Sequence, residues 1–584
     1  MDAPAPLPGF LAATDACIDR VGGLTAGVTR IPSGPASVAF WGLEPVAAHP
    51  ATLILSRVVR TRQGAVSDAD AAADLESRPA SLGRLLPPFA AIRGDSSGVT
   101  MVADSMGLRQ LYHSAPAAVG EGDAVMSTSA LLAGRAARAS LDETAVAVQS
   151  QLGWQLGQRT LFSGVHKLEP GVVAHLGSQG IQLTPSDAPP FDPISIEEAV
   201  VEAAGLLRDS VGALLDEHPD AVLQLTGGQD SRLLLSAIPR SRRRGLRAMT
   251  LGVAGDGDVE VAAGLASRDG LVHQVHGMGS LENITPGEAW DLTVDAARRL
   301  DGMADPLALA ALTVAEGAFE QGVRISGLGG EVARGFYYVG AVRDRSYTRQ
   351  DAQQLASWRM FVNESVESAA LSPDFAAWAR GEANTAVFDA LSVGGPEWFR
   401  ATDSLYFRHR MQRWAGVTDT AVAYQRVVIN PMLDENFLML ANRLAPADKA
   451  HSRFLATLQM ELDPELGRIP LEGRPAPVAY AHPGPLRAAS RTLTSARKAA
   501  RKVVQRVRGG NRAPAGGAVL AAKVAEYWRE HPDVVEGAAQ SGFLSEAWLG
   551  DVLAGRAQPR PSSVAFLTSL VVATSAAPGS GTAS

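Results

Sequence analysis

Cysteine is almost absent: the 584 residues contain one, Cys17. That excludes intramolecular disulfides and any Cys-rich metal cluster. A basic leader is also missing. The chain starts "MDAPAPLPGF", with an acid at position 2, so no secretory signal is expected. Long apolar runs are lacking too. The most apolar C-terminal stretch, "VAFLTSLVVATSAA", is shorter than the roughly 20 residues a membrane helix needs. The net charge of -8 is mild for this length and gives no global reason to expect a nucleic-acid partner. A cytoplasmic protein that neither enters a membrane nor binds DNA is expected.

At this length more than one core is expected. Residues 1–190 carry short apolar runs such as "ATLILSRVV", "GVTMVAD" and "GVVAHLG", cut by Gly, Pro, Asp and Ser, and read as strands of a largely β domain. "TPSDAPPFDP" (184–193) reads as a connector. From 194 to 483 helical periodicity alternates with strand-like "AVLQL" and "LRAMTLGV", the pattern of a parallel α/β layer that turns mainly helical past about 350. A basic linker (484–518) holds nine basic residues and no acid between 484 and 512. A helical segment (519–574) and an end expected to be disordered (575–584) follow.

Within "AVLQLTGGQDSRLLLSAI" (221–238) an apolar strand stops at Thr226-Gly227-Gly228-Gln229-Asp230-Ser231 and restarts as a helix. Glycines let backbone N–H groups approach oxygens that a Cβ would exclude, and a helix N-terminus adds unpaired donors. Asp230 would hold Mg²⁺ bridging phosphate oxygens. No lysine lies in the turn, so it is not a P-loop. An ordinary strand-to-helix turn with Asp or Ser as cap fits the local pattern equally well. A second turn, "VRISGLGGEVARGFYY" (323–338), again ends a strand in glycines and one acid. Two such turns at parallel strand ends could share one crevice, with Asp230 and Glu331 on one Mg²⁺–pyrophosphate.

The first turn resembles the S-G-G-x-D-S pyrophosphatase loop of the asparagine synthetase family, with Thr226 replacing Ser. The second is similar to its S-G-x-G-x-[DE] loop, with Ser326, Gly327, Gly329 and then, after Gly330, Glu331 in place of the usual Asp. "MTLGVAGDGDVEVAAGLASRDGLVHQVH" resembles the family's adenosine-side strand, and "NPMLDENFLMLANRLAP" its P-F-L-D segment. Upstream, "VADSMGLRQLYH" resembles the D-x-x-G-x-R-x-L-Y-Y turn of the glutamine amidotransferase domain. The resemblance spans about residues 40–475. It implies an α/β protein: an N-terminal Ntn-hydrolase-like αββα sandwich, then a parallel-sheet adenine-nucleotide α-hydrolase-like synthetase domain with a mainly helical C-terminal part. It implies ATP and Mg²⁺ as cofactors, with backbone around Leu225, Leu251 and Ser326-Gly327 holding the nucleotide.

Departures from the family refine this. Glutamine hydrolysis there uses a cysteine at the mature N-terminus, whereas position 2 here is Asp2. Cys17, followed by Ile18, reads as a buried structural thiol, and the first domain as an inactive glutaminase. Leu328 stands where relatives carry Glu or Tyr near the condensation chemistry, and Leu moves no proton. Lys449 is the only lysine between 167 and 498; the match places the family's adenylate-stabilising lysine nearer Ser452-Arg453, so Lys449 and Arg453 are both candidates, against a solvated helix end. Arg408, Arg410 and Arg413 in "YFRHRMQRWAG" read either as a carboxylate or phosphate clamp or as a solvated helix face. "RGDSSGV" matches G-x-S-x-G, but a strand follows it, which reads as a hairpin turn. His273 and His276 read as structural, since in a strand they face opposite ways.

The resemblance therefore implies an ATP-dependent, AMP-forming carbon–nitrogen ligase nearer to β-lactam synthetases and macrolactam cyclases than to glutamine-dependent members. A small-molecule or peptide carboxylate would be adenylated and joined to an amine, within one molecule or between two. Association as a homodimer is left open. An ammonia-dependent synthase amidating aspartate, and a catalytically silent scaffold of the same fold, are the alternatives.

Overall fold

The computed structural model describes residues 7–21, 27–114, 123–185, 192–252, 255–277, 279–317, 322–481 and 516–577. The basic stretch 487–512 lies outside them, as do residues 578–584 of the tail.

Two six-stranded sheets, with antiparallel strand pairs throughout, form the N-terminal domain. In one, strand Gly9–Ala13 lies between Ala36–Trp41 and Met126–Ser127; in the other, Ala90–Asp95 and Gly98–Ala103 are central. Strand alternation sorts the side chains. Phe10, Ala12, Val38 and Phe40 point inward onto Leu53, Ile92, Val99 and Met101, whereas Leu11, Ala13, Ala39 and Trp41 face out under helices. Helix Asp68–Ser77 covers the outer face of the second sheet. This is the expected αββα sandwich. "RGDSSGV" is the expected hairpin: Asp95 ends one strand, Gly98 begins its partner, and the Asp95 carboxylate accepts Ser97 N–H at 2.7 Å.

Asp104 explains its own motif. Its buried carboxylate accepts backbone N–H groups of Phe89, Met106, Leu108 and Arg109 at 2.8–3.1 Å, so one side chain pins a turn whose Gly107 has φ +58°. The pinned turn docks on the second domain. Arg109 donates to Tyr424 Oη at 2.8 Å and Gln110 N–H to Thr420 Oγ1 at 3.1 Å.

The second domain holds a five-stranded parallel sheet in the order Val272–His276, Arg247–Leu251, Val222–Gln224, Val323–Ile325, Val427–Ile429. Helix Ile196–Glu217 precedes it, started by a Ser195/Glu198 capping box. The two glycine turns leave the C-terminal ends of the adjacent strands Val222–Gln224 and Val323–Ile325. The remainder is mainly helical, as expected.

The apolar "VAFLTSLVVATSAA" lies in helix Pro561–Ala576, buried on nearly all sides. No helix among the described residues is long and apolar enough to cross a membrane. With Gly517–Glu530 it packs on helices Pro286–Arg299, Pro306–Glu316 and Ala130–Ala136, joining the layer outside the first sheet.

Candidate functional site

Sequence places Asp230 and Glu331 a hundred residues apart; parallel pairing of their strands brings the two turns into contact. Gly327 lies against the Asp230–Ser231 backbone, where an added Cβ would sit 2.8 Å from Ser231 N. A Cβ on Gly330 would overlap Asp230 Oδ1. Gly329 adopts φ +107°, which a side chain would resist. The glycines of the second turn thus let an acid from the first approach closely.

Arg334 bridges the pair, 3.5 Å from Asp230 and 3.0 Å from Glu331. Asp230 Oδ1 and Glu331 Oε2 are nevertheless buried without a hydrogen-bond partner. Burial first, and the Glu331 charge second, push the Asp230 carboxyl up to about 7. Two carboxylates with spare buried oxygens suit a hard divalent cation that takes its other ligands from phosphate and water. Among the described residues no group of three or more His, Cys, Asp or Glu side chains could hold a metal, so a cation here would have two protein carboxylates as ligands.

The first turn is closed by side chains. Thr226 N–H donates to Ser231 Oγ at 3.0 Å, Gly228 N–H to Thr226 Oγ1 at 3.1 Å, and Gly227 N–H to Asp258 Oδ1 at 2.9 Å. The Gly227 carbonyl accepts Glu472 N–H at 3.0 Å. An anion bound here would have to displace the Asp258 carboxylate from Gly227. Leu225 is fully engaged, donating its N–H to Met249 O at 2.8 Å and accepting Thr250 Oγ1 at 2.7 Å. Its backbone polar groups therefore already have protein partners. Leu251 ends its strand half-buried, and Gln229 is buried with both side-chain polar atoms unpaired. Ser326 N–H donates to Ile429 O at 2.9 Å, and its Oγ accepts Leu328 N–H at 3.3 Å.

Lys449 is buried, not a solvated helix charge: 1% of its side chain is exposed, and Nζ donates to Asp403 Oδ2 at 2.7 Å. Tyr338 Oη donates to the same oxygen at 2.8 Å. His451 and Ser452, just after Lys449, both adopt left-handed backbone (φ +56° and +61°) and pack against the Gly330–Arg334 turn. Such strain persists where surroundings enforce it. Arg453 instead pairs with Asp448 at 2.7 Å and is 42% exposed. Beside Glu331 an aromatic wall rises, with Phe336 4.6 Å from Tyr406 and 5.1 Å from Tyr337 between ring centres.

Tyr338, Asp403, Arg334 and Asp258 escaped the sequence reading. Tyr338 and Arg334 lie in the quoted second turn, but nothing local marks Asp403 or Asp258. Two of the three arginines need correction. Arg413 is buried and donates to the carbonyls of Gly157 and Arg159, both at 2.8 Å; Arg410 stacks over Trp154 and Trp414 near Glu364. They tie a π-helical stretch, Tyr406–Ala415, into surrounding structure rather than forming a clamp or a wet face. Only Arg408 of the three is exposed.

Cys17 is fully buried, accepts the Thr14 hydroxyl at 2.9 Å, and has its thiol pushed up by burial. It follows strand Gly9–Ala13 instead of preceding it. His273 bonds Thr250 Oγ1 at 2.8 Å, a structural role.

No protein-family model matches the chain, and no curated protein does. Solved structures similar to parts of it include the two that follow. One, described as the allosteric regulatory enzyme of purine biosynthesis, has 11% identity, covers 47% of this chain and 59% of its own, and gives a TM-score of 0.19. The other, a glutamine phosphoribosylpyrophosphate amidotransferase from B. subtilis complexed with ADP and GMP, has 13% identity, 47% and 60% coverage, and a TM-score of 0.19. The chain thus spans about three fifths of each. At that TM-score neither likeness bears on the site.

Proposed function

We propose that the chain is an ATP-dependent, AMP-forming ligase that adenylates a carboxylate and joins it to an amine. The observation that carries this is the meeting of Asp230 and Glu331, from adjacent parallel strand ends, with buried oxygens left unpaired. A carboxylate does not condense with an amine directly because oxide is a poor leaving group. Attack of the carboxylate on the α-phosphorus of ATP forms the acyl–O–P bond and breaks the bond to the bridging oxygen, releasing pyrophosphate. The amine then attacks the acyl carbon, AMP leaves, and the nitrogen loses a proton. A divalent ion supplies neutralisation of the departing pyrophosphate charge when bound.

The chain's own groups divide the remaining work. Asp230 and Glu331 would hold the cation, and Arg334 bridges the two acids. The first turn and its helix N-terminus receive the anion. Lys449, fixed by Asp403, offers a buried cation to the adenylate. With Leu328 unable to move a proton, the Asp403 carboxylate, which accepts the Tyr338 hydroxyl, takes the one the amine releases in this reading. Cys17 has no part in this.

The test is ATP–pyrophosphate exchange across candidate acids, with AMP formation followed with and without amines. Acid-dependent exchange that is lost in Asp230→Ala supports the ligase. Aspartate-dependent AMP formation with ammonia would move the assignment to an asparagine synthase, and failure to bind Mg-ATP would leave a silent scaffold.

A further inference from the structure

We propose that the crevice between the N-terminal sandwich and the parallel sheet is a second binding site, for a small zwitterion carrying a carboxylate and an ammonium group. Leu55, Arg60 and Pro88 line it from the first domain; Asp419, Arg426 and Ile429 line it from the second. It lies apart from the Asp230–Glu331 pair and does not depend on the ligase assignment.

Arg60 is 1% exposed. Its Nη2 donates to Glu217 at 3.2 Å, but Nε and Nη1 have no partner. Arg426, 8% exposed, pairs with Glu316 through Nη1 while its Nε is unpaired. Buried guanidinium donors without acceptors are rare, because nothing replaces the water they gave up. On the same domain as Arg426, Asp419 Oδ2 is also buried and unpaired. Asp104 and Arg109 are the charged groups that face it, and burial first and Asp104 second push its carboxyl up to about 7.

These orphans are of opposite kinds. The arginines lack an acceptor and the aspartate lacks a donor. A simple anion would satisfy the arginines but face Asp419; a simple cation would do the reverse. A molecule with both groups completes each set and adds no net charge. The cavity of about 40 Å³ holds roughly three waters at ~10–15 Å³ each, so the occupant is of glycine size or a slender homologue. The wall is not isolated, since the Ile429 carbonyl accepts the Ser326 N–H of the second glycine turn.

The test titrates the full chain, without nucleotide, with glycine, β-alanine and 4-aminobutyrate, against acetate and methylammonium, by calorimetry. We expect one zwitterion to bind at least tenfold tighter than either single-charge control. Arg60→Met and Asp419→Asn should each weaken it at least tenfold. Ala423→Leu adds bulk to the lining and removes no charge; it should block binding with the melting temperature retained, and it carries the test if Arg60→Met does not fold. Binding no tighter than acetate or methylammonium, or full binding in Ala423→Leu, overturns the proposal.

Discussion

Replacing Asp230 by Asn should make the ligand-free protein more stable and abolish pyrophosphate exchange. The two effects share one cause. Raising a carboxyl from the ordinary 3.8 to about 7 corresponds to about 4 kcal/mol of penalty on the charged form. An amide of the same shape escapes that penalty and leaves Arg334 to Glu331. Against it stands the desolvation of an imperfectly paired amide, about 1–3 kcal/mol. The net expectation is a gain of about 1–3 kcal/mol at pH 8 without divalent ions. The sign with pH follows from the same shift. Folded Asp230 keeps its proton to a higher pH than the unfolded chain, so its contribution falls as pH rises from about 4 to about 7 and stays low above. Asp230→Asn should flatten that slope. Denaturation at pH 5 and pH 8 in chelator reads stability, and pyrophosphate exchange reads activity. Lower stability of the variant at pH 8, or exchange within tenfold of the parent, refutes the reasoning.

Three further outcomes follow from the same geometry. Lys449→Met leaves the Asp403 carboxylate buried without its cation, a loss of about 3–5 kcal/mol; adding Asp403→Asn should recover stability in thermal melts but not pyrophosphate exchange. Gly330→Ala forces a methyl onto Asp230 Oδ1 and should cut Mg-ATP affinity at least tenfold while circular dichroism is unchanged. Cys17→Ala should alter no catalytic parameter and produce no change with glutamine as nitrogen donor; glutamine-dependent activity that vanished with this thiol would restore the first domain as a glutaminase.

What the sequence made legible is what the backbone constrains. Gly327, Gly329 and Gly330 stand out because a side chain there would collide, and Asp104 because one carboxylate must serve four amides. Short apolar runs such as "GVTMVAD" and "GVVAHLG" likewise announce strands. Partnership between distant side chains has no such imprint. Asp403 sits in an amphipathic helix like any other acid, and only tertiary packing delivers it to Lys449 and Tyr338. Arg410 and Arg413 look solvent-facing because the helical period says nothing about which element will cover them; the π-helical offset changes which residues share a face. Asp258 was hidden differently, as a first-turn acid of the kind helices favour anyway.

Helix Pro561–Ala576 has a consequence for biosynthesis. Its Leu567, Leu570 and Ala573 are buried in the cluster that also contains Leu11, Ala39 and Trp41 of the first sheet. A ribosome adding about 5–20 residues each second needs roughly 20–80 s to get from the sandwich to that helix. Throughout that interval the faces of helices Ala130–Ala136, Pro286–Arg299 and Pro306–Glu316 that it covers lack this partner, which makes the unfinished chain a ready client for a holding chaperone.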